Sequence, residues 1–186
     1  MSLKNLFSFL LITIVVVSCK KKIVETDNLF KFQNYVNYNT SGRISILSTI
    51  DIGLVKEVEG WIATEEVHDN IFSITPKVEG KLIAKNNRAL VFVPNESLKP
   101  DETYKVTLKL KELYPNIHEE FKNYSFQFKT IKPNFNVITN NLQSYNKEWQ
   151  YLEGILKLAD ATKLEDVKTL IEATQNEKSL SIKWDK

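Results

Sequence analysis

Leu98-Lys99-Pro100-Asp101-Glu102-Thr103-Tyr104 runs directly into Lys105-Val106-Thr107-Leu108-Lys109-Leu110. In the second half, Tyr104, Val106, Leu108 and Leu110 alternate with Lys105, Thr107 and Lys109. A period of two puts the two sets on opposite faces of an extended backbone, so this is a strand with one face on a core and the other in water. Pro100 presets a turn geometry just upstream. The stretch therefore predicts a turn that delivers a tyrosine to the first buried position of a strand.

The same period recurs on both sides. Ile44, Ile46, Ile50, Ile52 and Leu54 share one parity, with Ser45, Asp51 and Gly53 on the other. Further short strands are expected at 71–75, 80–84, 89–93, 104–110 and 124–130. Asn86-Asn87 tolerates the positive φ angles of a tight hairpin between two of them. About six or seven short strands in roughly ninety residues, with turn signals between them, predict a mainly β fold and an antiparallel β-sandwich over 41–131.

The spacing Leu98-x-Pro100-x-x-x-Tyr104 resembles a segment of fibronectin type III and related immunoglobulin-like domains. There a tyrosine near a strand start turns its hydroxyl back to an upstream backbone group and pins the corner between the sheets. The resemblance implies a structural role for Leu98, Pro100 and Tyr104.

At the N-terminus, Lys4 is followed by 6–17, apolar apart from Ser8 and Thr13. About a dozen such residues are too few for a permanent span of a ~30 Å hydrocarbon core; they suit the central part of a secretory signal. Val16-Val17-Ser18-Cys19 resembles the lipobox of bacterial lipoproteins. The resemblance implies cleavage between Ser18 and Cys19 and a thioether-linked diacylglycerol on Cys19, the only cysteine of the chain. The expected organisation is a signal peptide at 1–18 and a lipidated tether at 19–40, where 23–40 is polar, asparagine-rich and weakly patterned. Two or three acyl chains, at ~0.8 kcal/mol per buried methylene, anchor stably. The implied partner is membrane lipid through acylated Cys19, in the cell envelope and facing the periplasm. Lys20 after the cysteine favours the outer membrane by analogy with lipoprotein sorting. Lys20-Lys21-Lys22 reads as a solvated part of the tether.

The composition of the 186-residue chain excludes other classes. Its 25 basic against 23 acidic residues form no basic stripe, so nucleic-acid binding has no electrostatic support. With Cys19 acylated, no disulfide is available and the fold must rest on packing. His68, in Thr64-Glu65-Glu66-Val67-His68-Asp69, and His118, before Glu119-Glu120, lack the ligand spacing of a metal motif and read as solvated loops. The five glycines make no phosphate loop, and no serine or threonine sits in a nucleophile elbow. The expectation is a protein that is not an enzyme and has no metal, cofactor or catalytic residue. Asn39, Asn95 and Asn123 head Asn-x-Ser triplets, which are chance matches in a bacterial lipoprotein.

After Lys132-Pro133 a second unit, 132–186, is expected. Residues 152–158 read as a strand. Thr162 with Glu165 forms a capping box for a helix over 163–174, on which Leu164, Val167, Leu170 and Ile171 share a face. Alternation returns at 179–184. Strand, helix and strand in ~55 residues are too little to close an independent core, so the unit reads as a domain cut short.

Phe72-Ser73-Ile74-Thr75-Pro76-Lys77-Val78-Glu79-Gly80, then Arg88-Ala89-Leu90-Val91-Phe92-Val93-Pro94, then Leu98-x-Pro100-x-x-x-Tyr104, together resemble the first macroglobulin-like domain of bacterial alpha-2-macroglobulin family lipoproteins. Leu152-Glu153-Gly154, Leu164-Glu165-Asp166-Val167-Lys168, Ala173-Thr174-Gln175-Asn176 and Leu180-Ser181-Ile182-Lys183-Trp184 are similar to the start of their second such domain. The resemblance implies an N-terminal, membrane-anchored arm of a proteinase inhibitor that acts by entrapment. In the family the bait region and the Cys-x-Glu-Gln thioester lie far downstream, and neither motif is in this chain. Proteinases are thus partners only through further domains. The alternative is a stand-alone lipoprotein whose immunoglobulin-like domain binds glycan or a surface protein.

Overall fold

The chain is seen in a computed structural model that describes residues 29–185. Ser18, Cys19 and the tether up to residue 28 lie outside the described residues. Two four-stranded sheets face each other. The first holds β1 (Val36–Asn39), β3 (Ile50–Leu54), β6 (Ala89–Pro94) and β5 (Gly80–Asn86) in that spatial order, all antiparallel. The second holds β2 (Arg43–Ile44), β8 (Asn123–Thr130), β7 (Thr103–Lys109) and β4 (Phe72–Thr75). Its pairings are antiparallel except that β2 runs parallel to β8. This is an immunoglobulin-like sandwich whose first strand is divided between the two sheets. Ile50, Ile52, Leu90 and Phe92 from the first sheet share a buried core with Tyr104, Val106, Leu108, Tyr124, Phe126 and Phe128 from the second. Each such side chain is worth about 1.5–3 kcal/mol of hydrophobic burial.

The alternation from Ile44 to Leu54 belongs to two strands in different sheets. Ile44 ends β2 in the second sheet, and β3 opens at Ile50 in the first. Between them the Ser48 amide bonds the Ser45 carbonyl, and the Leu98 amide holds the Ile46 carbonyl at 2.9 Å. The parity survives the crossover because both segments point their apolar side chains into the same core from opposite sides.

The tether boundary is corrected. Leu29–Tyr35 forms a turn that buries Phe32, and β1 follows with Val36 buried and paired to Leu54. The folded domain thus includes residues of 29–40, which the sequence assigns to the tether. Phe32 and Val36, four residues apart, occupy one face of the turn, and the surrounding asparagines hide that spacing. The hairpin between β5 and β6 forms, but its mechanism differs. Asn87 and Arg88 are the turn residues, and neither Asn86 nor Asn87 has a positive φ. Instead the Asn86 side-chain oxygen accepts the Arg88 amide at 2.7 Å, an Asx turn.

The expected corner is present. Tyr104 is buried with its ring stacked on Phe128, and its hydroxyl accepts the Lys99 amide at 2.9 Å. Leu98 is buried beside it, and after Pro100 the turn passes through Asp101 at φ 54°, a conformation that aspartate adopts more readily than most residues. Tyr104→Phe is expected to lower stability by about 1 kcal/mol, the worth of one ordinary hydrogen bond. Urea unfolding of residues 20–186 measures it, and an unchanged midpoint would show that the hydroxyl does not hold the corner.

The second unit is a set of two-stranded pieces. β9 (Phe135–Thr139) pairs with β12 (Gly154–Leu158), and between them β10 (Gln143–Ser144) pairs with β11 (Gln150–Tyr151). Helix α1 (Leu110–Leu113) belongs to the sandwich; α2 (Leu164–Lys168) is the helix of the second unit. Three expectations change here. The strand expected at 152–158 starts at Gly154. The helix expected over 163–174 spans only five residues, and Thr162 does not cap it: its hydroxyl reaches the Asp160 carbonyl at 3.5 Å. So short a helix depends on packing, and Leu170 finds no surface to cover it. The strand at 179–184 reduces to β14 (Lys178–Ser179), joined to β13 (Thr174–Gln175) by a hairpin in which Asn176 and Glu177 both have positive φ.

The chain enters and leaves the sandwich at opposite ends. Phe32 packs on Phe121 and Tyr124 at the start of β8, and the second unit follows from the end of β8 at Thr130. The first and last of the eight extended residues of β8 are separated by about 24 Å.

Candidate functional site

The residues with potential chemistry do not converge. Among the described residues no group of three or more His, Cys, Asp or Glu side chains could hold a metal ion. His68 stands exposed in its loop. His118 contacts the Glu120 carboxylate at 3.3 Å on the surface. Asn39 is committed to structure: its side-chain oxygen accepts the Tyr124 hydroxyl at 2.7 Å. Every buried side-chain polar atom among the described residues has a partner, so no orphaned group marks a ligand site. An open cleft of about 610 Å³, lined by Ile46, Ser48, Val93, Glu96 and Lys163 among others, lies where the two units meet. No helix among the described residues is long and apolar enough to cross a membrane.

Asp160 joins the units beside that cleft. One carboxylate oxygen accepts the Ile46 amide at 2.8 Å and the other accepts the Ala161 amide at 2.8 Å. Burial opposes ionisation of this carboxyl, but these bonds and one from the Ser45 hydroxyl outweigh it and hold its pKa below the ordinary value. With a folded-state pKa that is lowered, the contact contributes fully above the ordinary carboxylate range. The contribution is lost as pH falls through the lowered value.

The feature that stands out is the apolar surface of the second unit. In the β9–β12 ribbon, Phe135 pairs with Leu158 and Val137 with Leu156, so the four side chains share one face. Phe135 is 63% exposed, and Val137 and Leu158 are exposed too. The other face carries Ile138 opposite Ile155, also exposed. Further out, Tyr145 stacks on Tyr151 with ring centroids 5.1 Å apart. The Asn146 side chain accepts the amides of Glu148 and Trp149, a turn that presents Trp149 at 70% exposure. An isolated two-stranded ribbon is marginal in water, and these exposed apolar side chains lie together on it without cover among the described residues. The sequence points to Phe135, Trp149, Leu156, Ile171 and Trp184 as needing cover. Phe135 and Trp149 are the most exposed of these, while Leu156, Ile171 and Trp184 are half-buried.

No protein family matches the chain, and no curated protein matches it. Among solved structures, the chain is similar to an L,D-transpeptidase from Mycobacterium tuberculosis H37Rv, at 15% identity and a TM-score of 0.36 over 53% of this chain and 40% of that one. It is likewise similar to L,D-transpeptidase 3 from Mycobacterium tuberculosis in complex with a faropenem-derived adduct, at 14% identity and a TM-score of 0.35, over 55% of this chain and 39% of that one. The chain thus spans about 40% of the length of these proteins. A likeness of this degree carries no chemistry across.

Proposed function

We propose that this chain is the membrane-anchored arm of a bacterial proteinase inhibitor of the alpha-2-macroglobulin type. Acylated Cys19 is its attachment, the sandwich its spacer, and the second unit the place where further macroglobulin-like strands join. The observation that carries this reading is the uncovered apolar ribbon of 135–158. Such a surface fits a partly built β domain completed by neighbouring strands better than it fits a finished module. The entry and exit of the chain at opposite ends of the sandwich support it as well, because domains strung in series need that geometry. In this reading the proteinase meets the larger assembly, and no residue described here performs chemistry.

Two measurements test the proposal. Growth with a radioactive fatty acid should label the wild type, while Cys19→Ala should stay unlabelled and unprocessed; equal label in both refutes the anchor. For the trap, the full-length protein extracted from the envelope is mixed with a proteinase. An entrapped proteinase should keep its activity on a small peptide and lose it on a protein substrate, because a surrounding cage excludes large molecules. Undiminished digestion of the protein substrate would overturn the trapping function and favour the stand-alone binding lipoprotein.

A further inference from the structure

The sandwich end at which the described chain begins has a surface of its own. Phe30 is 82% exposed, although Phe32, two residues on, lies in the core. Val55, whose amide bonds the Tyr35 carbonyl, is exposed at the same end. The Lys31 ammonium lies 5.5 Å from the centre of the Phe121 ring and 5.9 Å from that of Phe32. The Lys56 ammonium lies 5.5 Å from the Tyr35 ring. This end therefore presents an apolar side chain beside two lysine ammonium groups that lie over aromatic rings. Three of its carboxylates, Glu57, Glu119 and Glu120, are paired with Arg88, Lys122 and Lys31, which weakens repulsion from anionic headgroups.

A single exposed phenylalanine is ordinary on a protein surface. Its place in the chain makes this one different. Leu29 is the tenth residue after Cys19, a reach of at most about 36 Å. A lipid on Cys19 thus holds this end within that distance of the headgroups. Tethering makes the contact intramolecular, with an effective concentration in the ~mM range, so even a weak contact is populated.

We propose that this end of the sandwich rests on the bilayer that holds Cys19, with Phe30 at the headgroup–acyl boundary and Lys56 against headgroup phosphates. The proposal depends on the lipid anchor inferred above. An aromatic ring flanked by lysines is the side-chain set of interfacial membrane contacts. Contact here would stand the sandwich upright and hold the apolar ribbon away from the membrane, where a partner from the periplasm can reach it.

The test places the acylated full chain carrying Phe30→Trp in phosphatidylethanolamine–phosphatidylglycerol vesicles, with and without lipids brominated near the headgroup. Mass spectrometry of the same sample reports the acyl group on Cys19. The indole added by Phe30→Trp, read as the difference from wild-type emission, should shift to the blue and be quenched about twofold or more by the brominated lipid, as an interfacial aromatic is. The wild-type emission should not change. Acylated protein bound to vesicles with no quenching of the added indole overturns the docked orientation and leaves the anchor standing. A chain without acyl group overturns both.

Discussion

Hydrogen exchange on residues 19–186 is expected to divide near Lys132. Amides of β3, β6, β7 and β8 lie in a two-sheet core whose side chains are buried. They should open only with global unfolding, a free energy of 5–15 kcal/mol for an ordinary domain, and so exchange at least ~10³-fold more slowly than unprotected amides. The second unit has no comparable source of protection. Among its described residues Val167 is the one buried hydrophobic, its helix has five residues, and its longest pairing is the five-residue β9–β12 ribbon. Its amides should exchange within about 100-fold of unprotected rates, as expected where few buried contacts resist local opening. Slow exchange of equal degree across 103–130 and 135–158 would show a second unit stable by itself. The uncovered ribbon would then no longer call for joining strands, and the arm proposal would lose the observation that carries it.

The division between what the residues reveal and what they conceal follows from the length of each pattern. Tyr104 to Leu108 and Tyr124 to Phe128 show strict alternation because each strand has one face on the core, and both were legible. The corner was legible because Pro100 and Tyr104 act through local geometry, which the short spacing encodes. β1 was not, since Val36-Asn37-Tyr38-Asn39 buries a single side chain fully and its pairing with β3 is a long-range event. The crossing of 45–49 between sheets also leaves no trace, because a strand that changes sheet keeps its parity. In the second unit the apolar spacing suggested a helix more than twice as long as the one that forms. Spacing supplies a face, but a helix persists only where something packs on that face. The lipid site is a separate case. Its evidence lies wholly in residues 4–19, outside the described residues.

Thr130→Val is expected to destabilise the sandwich by about 2–3 kcal/mol, more than Tyr104→Phe, although valine keeps the shape and β-branching of threonine. Thr130 has 0% exposure and ends β8 at the corner. Its hydroxyl donates to the Lys99 carbonyl at 2.6 Å and accepts the Glu102 amide at 2.9 Å, while its own amide donates to the Glu102 carbonyl at 2.9 Å. Removing the hydroxyl leaves a main-chain donor and a main-chain acceptor without partners beside a closed core, each worth about 1–3 kcal/mol if water cannot replace the loss. Tyr104 holds one main-chain group, the Lys99 amide, where Thr130 holds two, and so counts for less. Nothing in the sequence marks Thr130, because a threonine at a strand end is unremarkable until the loop it closes is folded over it. The two side chains grip opposite sides of one residue, Lys99. The double variant should therefore cost less than the sum of the single ones, by about 0.5 kcal/mol or more, as neighbours sharing a partner do. Urea midpoints of the four proteins measure this, with Thr130→Ser restoring most of the loss. A Thr130→Val midpoint equal to wild type, or strict additivity with Tyr104→Phe, would show that the corner is held by packing of Tyr104 on Phe128 rather than by the bonds to Lys99.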